Sequence, residues 1–207
     1  MVSMSVFRDE VRSWAEGGSG EPARELAVGL GVRTAVLLEG LSDAAAVETL
    51  TARQGRDLAA EGVCVLPMGG AMNVGRYAGL LGPTGLGLRL AGLCDERERP
   101  YFDRGLDRAG APGGDVFICV SDLEDELIRA LGETKVEQII QTEHEARAWH
   151  TFTRQPAQHG RPRQQQLRRF IGTKKGRKIR YGRLLVEALD LDVDQVPAPL
   201  NALLRSL

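Results

Sequence analysis

Apolar residues along this chain fall into two rhythms. Unbroken apolar runs occur at "TAVLLE" (34–39), "GVCVLPM" (62–68), "LGLRLAGLCD" (86–95) and "DVFICVSD" (115–122). Runs of this length predict strands buried on both faces, as at the centre of a parallel sheet. Between them the spacing turns helical. Ala46, Val47 and Leu50 predict a helix from about 43 to 53, with Ser42 and Asp43 as N-cap residues. "GGAMNVGRYAGLLG" (69–82) predicts a glycine turn followed by a helix, and "DLEDELIRALG" (122–132) an amphipathic helix closed by Gly132. A proline- and glycine-rich loop separates the third and fourth strands. Ahead of the first strand stand two short helices, 5–16 and 22–30, divided by the flexible "EGGSGEP" (16–22). Beyond Gly132 the pattern predicts helices over 133–150, 161–171 and 176–189, then a proline-punctuated tail, "VPAPLNALLRSL" (196–207).

The order β-α-β-α-β-loop-β-α predicts an α/β fold. Its core is a central parallel sheet of about four strands flanked by helices, with a helical C-terminal extension. The expected organisation is an N-terminal helical segment (1–31), an α/β domain (32–132) and a basic helical extension packing on it (133–207). Composition agrees: 43% of the 207 residues are hydrophobic and only 5% aromatic, which suits a helix-rich α/β protein. No stretch approaches the ~20 apolar residues of a membrane span. The N-terminus carries charge where a secretory signal needs its apolar region, so a cytoplasmic location is expected. Cys64, Cys94 and Cys119 lie inside apolar runs without metal-finger spacing and are expected to be buried thiols. The three histidines form no HExxH-like cluster.

Charge changes the picture. Residues 1–150 hold 15 basic and 24 acidic residues, a balance of −9, whereas 151–207 hold 12 and 4, a balance of +8. Between Arg154 and Arg183 stand 11 basic residues and no acidic one. Such a block suits a polyanion or an intramolecular match to the acidic half. The first, third and fourth strands, meanwhile, all finish on acidic residues. Glu39, Asp43, Asp95, Asp122 and Glu124 are thereby expected on the carboxyl edge of the sheet, where open α/β sheets bind ligands. Taken singly, Asp43 and Asp122 are also good helix N-caps, and Glu124 complements a helix dipole. Taken together, carboxylates this close repel unless a proton or cation neutralises them, and oxygen-only clusters suit Mg²⁺ or Mn²⁺.

The segments "VLLEGLSD", "GLCD" and "SDLEDEL" resemble the TOPRIM domain, the metal-dependent fold of topoisomerases, primases and nucleases. More narrowly, residues 32–190 are similar to the nuclease domain of the overcoming-lysogenization-defect (OLD) family. The resemblance implies that Glu39, Asp43, Asp95, Asp122 and Glu124 hold two divalent ions, with Glu39 and Asp95 at the reacting centre. It also implies a C-terminal lysine at the scissile phosphate, with Lys178 the best match and Lys174 and Lys175 the alternatives. The function so implied is two-metal hydrolysis of DNA phosphodiesters. Nucleic acid would contact the basic segment, namely Arg168, Arg169, Lys174, Lys175, Arg177 and Arg180. Where many TOPRIM proteins carry Asp-x-Asp, this chain reads Asp95-Glu96-Arg97-Glu98, which weakens a topoisomerase or primase reading and leaves open whether Glu98 substitutes. The family's usual ATPase domain would need a GxxxxGK[ST] loop, and none is present, so no ATP site is expected in this chain. Two further readings stand beside the nuclease. One is a non-catalytic subunit that binds nucleic acid or a separate ATPase partner, and the other is a nucleotidyl transferase or phosphohydrolase. The apolar tail and the N-terminal helix would each support a homodimer.

Overall fold

The computed structural model describes residues 3–193 and 195–207, apart from the side chain of Lys175. Four parallel strands form one sheet in the order β2-β1-β3-β4: β1 (Thr34–Leu38), β2 (Val63–Pro67), β3 (Arg89–Asp95) and β4 (Asp115–Cys119). Each apolar run becomes a strand because its side chains alternate between two cores. Val36, Leu38, Val63, Val65, Ala91 and Leu93 face one core, while Ala35, Leu37, Cys64, Leu66, Leu90 and Cys94 face the other.

The second core is covered by α1 (Met4–Ala15), α2 (Glu21–Gly29), α4 (Val74–Leu81) and α5 (Arg99–Arg108). The first is covered by α3 (Leu41–Arg53), α6 (Leu123–Leu131), α7 (Glu133–Thr142), α8 (Ala146–Thr153), α9 (Arg163–Gly172), α10 (Lys175–Glu187) and α11 (Ala198–Ser206). The three cysteines are buried free thiols. Among the described residues no helix is long and apolar enough to cross a membrane.

Three elements depart from the sequence pattern. The loop expected between β3 and β4 contains α5, whose apolar residues are sparse but correctly spaced: Phe102 and Leu106 are buried four positions apart. Its Gly105 is a close-packing residue, since a Cβ there would stand 2.9 Å from the Gly75 nitrogen of α4. The helix expected over 133–150 is two helices, because His144 takes a left-handed φ of 59° between α7 and α8. The proline-punctuated tail is α11, in which Leu200, Leu203 and Leu204 are buried against β3, β4 and their neighbours. These three leucines are buried within the chain. The same holds for the apolar face of α1, where Met4, Phe7, Val11 and Ala15 are buried.

Candidate metal centre

The strand order places the ends of β1, β3 and β4 side by side. Glu39 leaves β1 directly, followed by Gly40 in an extended conformation with φ −141°. The Gly40 N–H donates to Asp43 Oδ2 at 2.9 Å, so the third residue of α3 reaches back to cap its own helix. The Glu39 carbonyl accepts from the Gly70 N–H at 2.9 Å, which ties the Gly69–Gly70 turn to the same edge. Asp95 ends β3 opposite Cys119 of β4. A turn closed by the Glu98 N–H on the Asp95 carbonyl at 2.9 Å then brings Glu98 back over the edge.

Carboxylate oxygens of Glu39, Asp95 and Glu98 all lie within 4.8 Å of one another. Burial pushes Asp95 up to about 8, with the charges of Asp122, Glu98, Glu39 and Asp43 adding to it. Glu98 is raised to about 7, first by burial and then by its hydrogen bond with Glu39. Two carboxyl groups that close need a shared proton. Once both ionise, Glu98 Oε2 is buried with no donor. Three half-buried oxygen ligands, mutual repulsion and an orphaned acceptor are the features a hard divalent cation would satisfy. The residues present fit such an ion.

The other acidic residues are already matched. Asp122 is the N-cap of α6, accepting from the Asp125 N–H at 2.8 Å through Oδ1 and from Arg168 at 2.5 Å through Oδ2. Glu124 is buried in the first turn of α6, 3.3 Å from Lys178 Nζ. Burial raises Glu124 to about 7 although Lys178 pulls the other way, and burial raises Asp43 to about 6 against the same lysine and Gly40. Burial lowers Lys178, but Glu124, Asp43 and Asp122 outweigh it and the net shift is upward, so the ammonium is charged. Lys178 is held there by the packing of α10 on α3. At their crossing a Cβ on Gly182 would stand 2.6 Å from the Ser42 carbonyl oxygen.

Of the five acids expected at the edge, Glu39 and Asp95 fall in a three-residue group at ligand spacing, which Glu98 completes. Sequence reasoning left Glu98 open because it lies past the strand, where only the turn geometry aims it. Among the basic residues, Arg169 and Lys174 are exposed. Arg168 is bound to Asp122, and Arg180 pairs with Glu143 at 3.6 Å and Glu145 at 2.8 Å. Arg177 does not offer its charge outward. It is 8% exposed, bonded to Glu145 and Thr173 and stacked 4.0 Å over Phe170. The side chain of Lys175 lies outside the described residues.

Comparison with known structures identifies the fold. Residues 32–96 match the model of the overcoming lysogenization defect protein-like TOPRIM domain. The C-terminal region of the Xanthomonas campestris pv. campestris OLD protein superposes with a TM-score of 0.62 at 23% identity, covering 84% of this chain and 93% of that one. The fold is that of an OLD-type TOPRIM domain. The C-terminal region of the Burkholderia pseudomallei OLD protein gives a TM-score of 0.61 at 22% identity, covering 84% and 96% of the two chains. No curated protein matches the sequence.

Proposed function

We propose that this TOPRIM domain is a Mg²⁺- or Mn²⁺-dependent nuclease that hydrolyses DNA phosphodiesters. The observation that carries the reading is the convergence of Glu39, Asp95 and Glu98 within 4.8 Å on the carboxyl edge, with Glu98 Oε2 buried and unpartnered. Those three residues would hold one ion, and Asp43, Asp122 and Glu124 would serve a second. Bound divalent ions supply Lewis acidity toward phosphate oxygens and lower the pKa of water.

The chain's own groups do the rest. Asp95, raised to about 8 by burial, holds a proton until a cation displaces it, so the centre accepts positive charge readily near neutral pH. Lys178 is charged, and 38% of its side chain remains exposed toward the cleft beside Asp122 and Glu124. It is suited to meet a phosphate oxygen and stabilise charge that grows there. Arg168 holds Asp122 in place and adds positive charge to the same cleft.

One observation favours the second reading, a non-catalytic nucleic-acid- or ATPase-binding subunit. Asp122 and Glu124 already have cationic partners in Arg168 and Lys178, as they would in a site that holds no second ion. Cleavage of plasmid and single-stranded DNA with Mg²⁺, Mn²⁺ or EDTA separates the two. The nuclease reading expects metal-dependent cutting that Glu39→Ala abolishes. A folded protein that binds DNA and never cuts it would leave the binding subunit.

A further inference from the structure

Two cavities lie end to end beside the acidic edge. The first, about 540 Å³, runs from Asp122 and Glu124 past Arg168, Arg169 and Lys178. The second, about 570 Å³, is lined by His144, Arg147, Lys174 and Arg177. Both are lined by Phe152 and Thr173, so they adjoin along one grooved face of α8, α9 and the start of α10.

Charge along the groove is uneven for a structural reason. The nearby carboxylates are consumed: Glu143 and Glu145 pair with Arg180, and Glu145 also binds Arg177 at 2.9 Å and the Tyr181 hydroxyl at 2.9 Å. Arg147, Arg169 and Lys174 are exposed, and none pairs with a carboxylate among the described residues. The opposite flank of Glu39 differs. Its cavity, about 740 Å³, is bounded by Arg12, Glu16, Tyr77 and the Gly69–Gly70 turn, and Arg12 is 3.1 Å from Asp9. The groove thus carries three exposed cations, Arg147, Arg169 and Lys174, that no carboxylate among the described residues neutralises.

We infer that this groove binds a single strand of nucleic acid, leading from the acidic centre over Phe152 and Thr173 to Arg147. On the nuclease reading the groove grips the substrate beside the scissile bond. Its position relative to that bond rests on the nuclease reading, but the binding does not. The face is a concave, positively lined channel, the form that tracks a single-stranded backbone. Trp149, Phe152 and Phe170 pack on one another and are at most 8% exposed, so the grip is ionic rather than by base stacking. Binding is expected to be indifferent to sequence and sensitive to salt.

The test is fluorescence anisotropy of a labelled thymidine oligonucleotide of about 12 nucleotides, within the span of such grooves, measured in EDTA across a salt series. Arg147→Glu is expected to weaken binding roughly tenfold and to reduce the log–log salt slope by about 0.7 for each phosphate that it ceases to neutralise. Arg12→Glu, on the opposite flank, is expected to leave affinity unchanged. Arg147 is exposed and unpaired, so its variant should melt with the wild type. Unchanged binding in Arg147→Glu, or equal losses in both variants, would overturn the groove. Tighter binding of a blunt duplex would overturn the single-strand assignment, and equal competition by polyglutamate would overturn nucleic acid as the occupant. Because EDTA silences any metal chemistry, Arg147-dependent binding in a protein that never cuts DNA would leave the groove standing and remove the nuclease.

Discussion

At the scale of single residues, the acidic edge is held in a state that favours protons or cations over bare charge. Asp95 sits near 8 and Glu98 and Glu124 near 7, each raised first by burial. Between pH ~4 and ~8 the folded chain therefore keeps protons that the unfolded chain has released. Stability should fall as pH rises through that window and level off above it. Thermal melts in EDTA should show Tm declining from pH 5 to pH 8, with Mg²⁺ flattening the decline. Asp95→Asn removes the largest of these shifts, so its Tm should exceed the wild type's at pH 8 by about 2–4 °C for each kcal/mol of repulsion relieved. A wild-type Tm that stays flat across the window would contradict the repulsion. Glu98→Gln tests the residue whose place at the edge depends on the turn after β3. It should reduce metal-dependent cleavage at least tenfold while leaving the far-UV circular dichroism spectrum unchanged. Wild-type cleavage would remove Glu98 from the centre. Its role is not legible in the sequence because a residue three places past a strand end reaches the edge only if the turn folds back, and no periodicity encodes that.

At the scale of elements, the apolar runs are readable because a strand buried on both faces tolerates no polar interruption; β1 and β2 are buried throughout and β3 along its interior, while β4, at the sheet edge, is buried only at Cys119. α5 and α11 are not so readable. "RPYFDRGLDR" contains proline and glycine, which mark loops in isolation, yet Pro100 lies in the first turn of α5, where a missing N–H costs little, and Gly105 packs closely on α4. In α11 the prolines precede and open the helix, while Leu200, Leu203 and Leu204 supply its buried stripe. The site depends on one interface above all, the crossing of α3 and α10 that presents Lys178 to Glu124. Gly182→Ala would force a methyl group against the Ser42 carbonyl and should cost about 1–3 kcal/mol. Because the Lys178–Glu124 pair depends on this crossing, turnover should also fall further than stability, which paired melting curves and kcat measurements would reveal. Arg177→Ala should be costlier, on the order of 3–5 kcal/mol, because Glu145 would lose the most buried of its cationic partners. Chemical denaturation of the two variants side by side would check that order.

At the scale of the whole molecule, the charge asymmetry of the sequence resolves into two uses. Part of the basic segment is matched internally, through Arg168 on Asp122 and through Arg177 and Arg180 on Glu145. Of the rest, Arg169 and Lys174, together with Arg147 from outside the segment, line a groove leading away from the acidic edge. The imbalance is visible in the sequence but this division is not, since which charges pair depends on helix packing between residues far apart in the chain. Fold and edge together make one central claim, that the ends of β1 and β3 form a divalent-cation site with Glu98. Calorimetric titration of Mn²⁺ into the metal-free protein, wild type against Glu39→Ala, tests it most directly. The account predicts saturable binding with proton release near pH 7 in the wild type, and loss of that binding in the variant. Identical titrations, or no saturable binding in a folded wild-type protein, would contradict it.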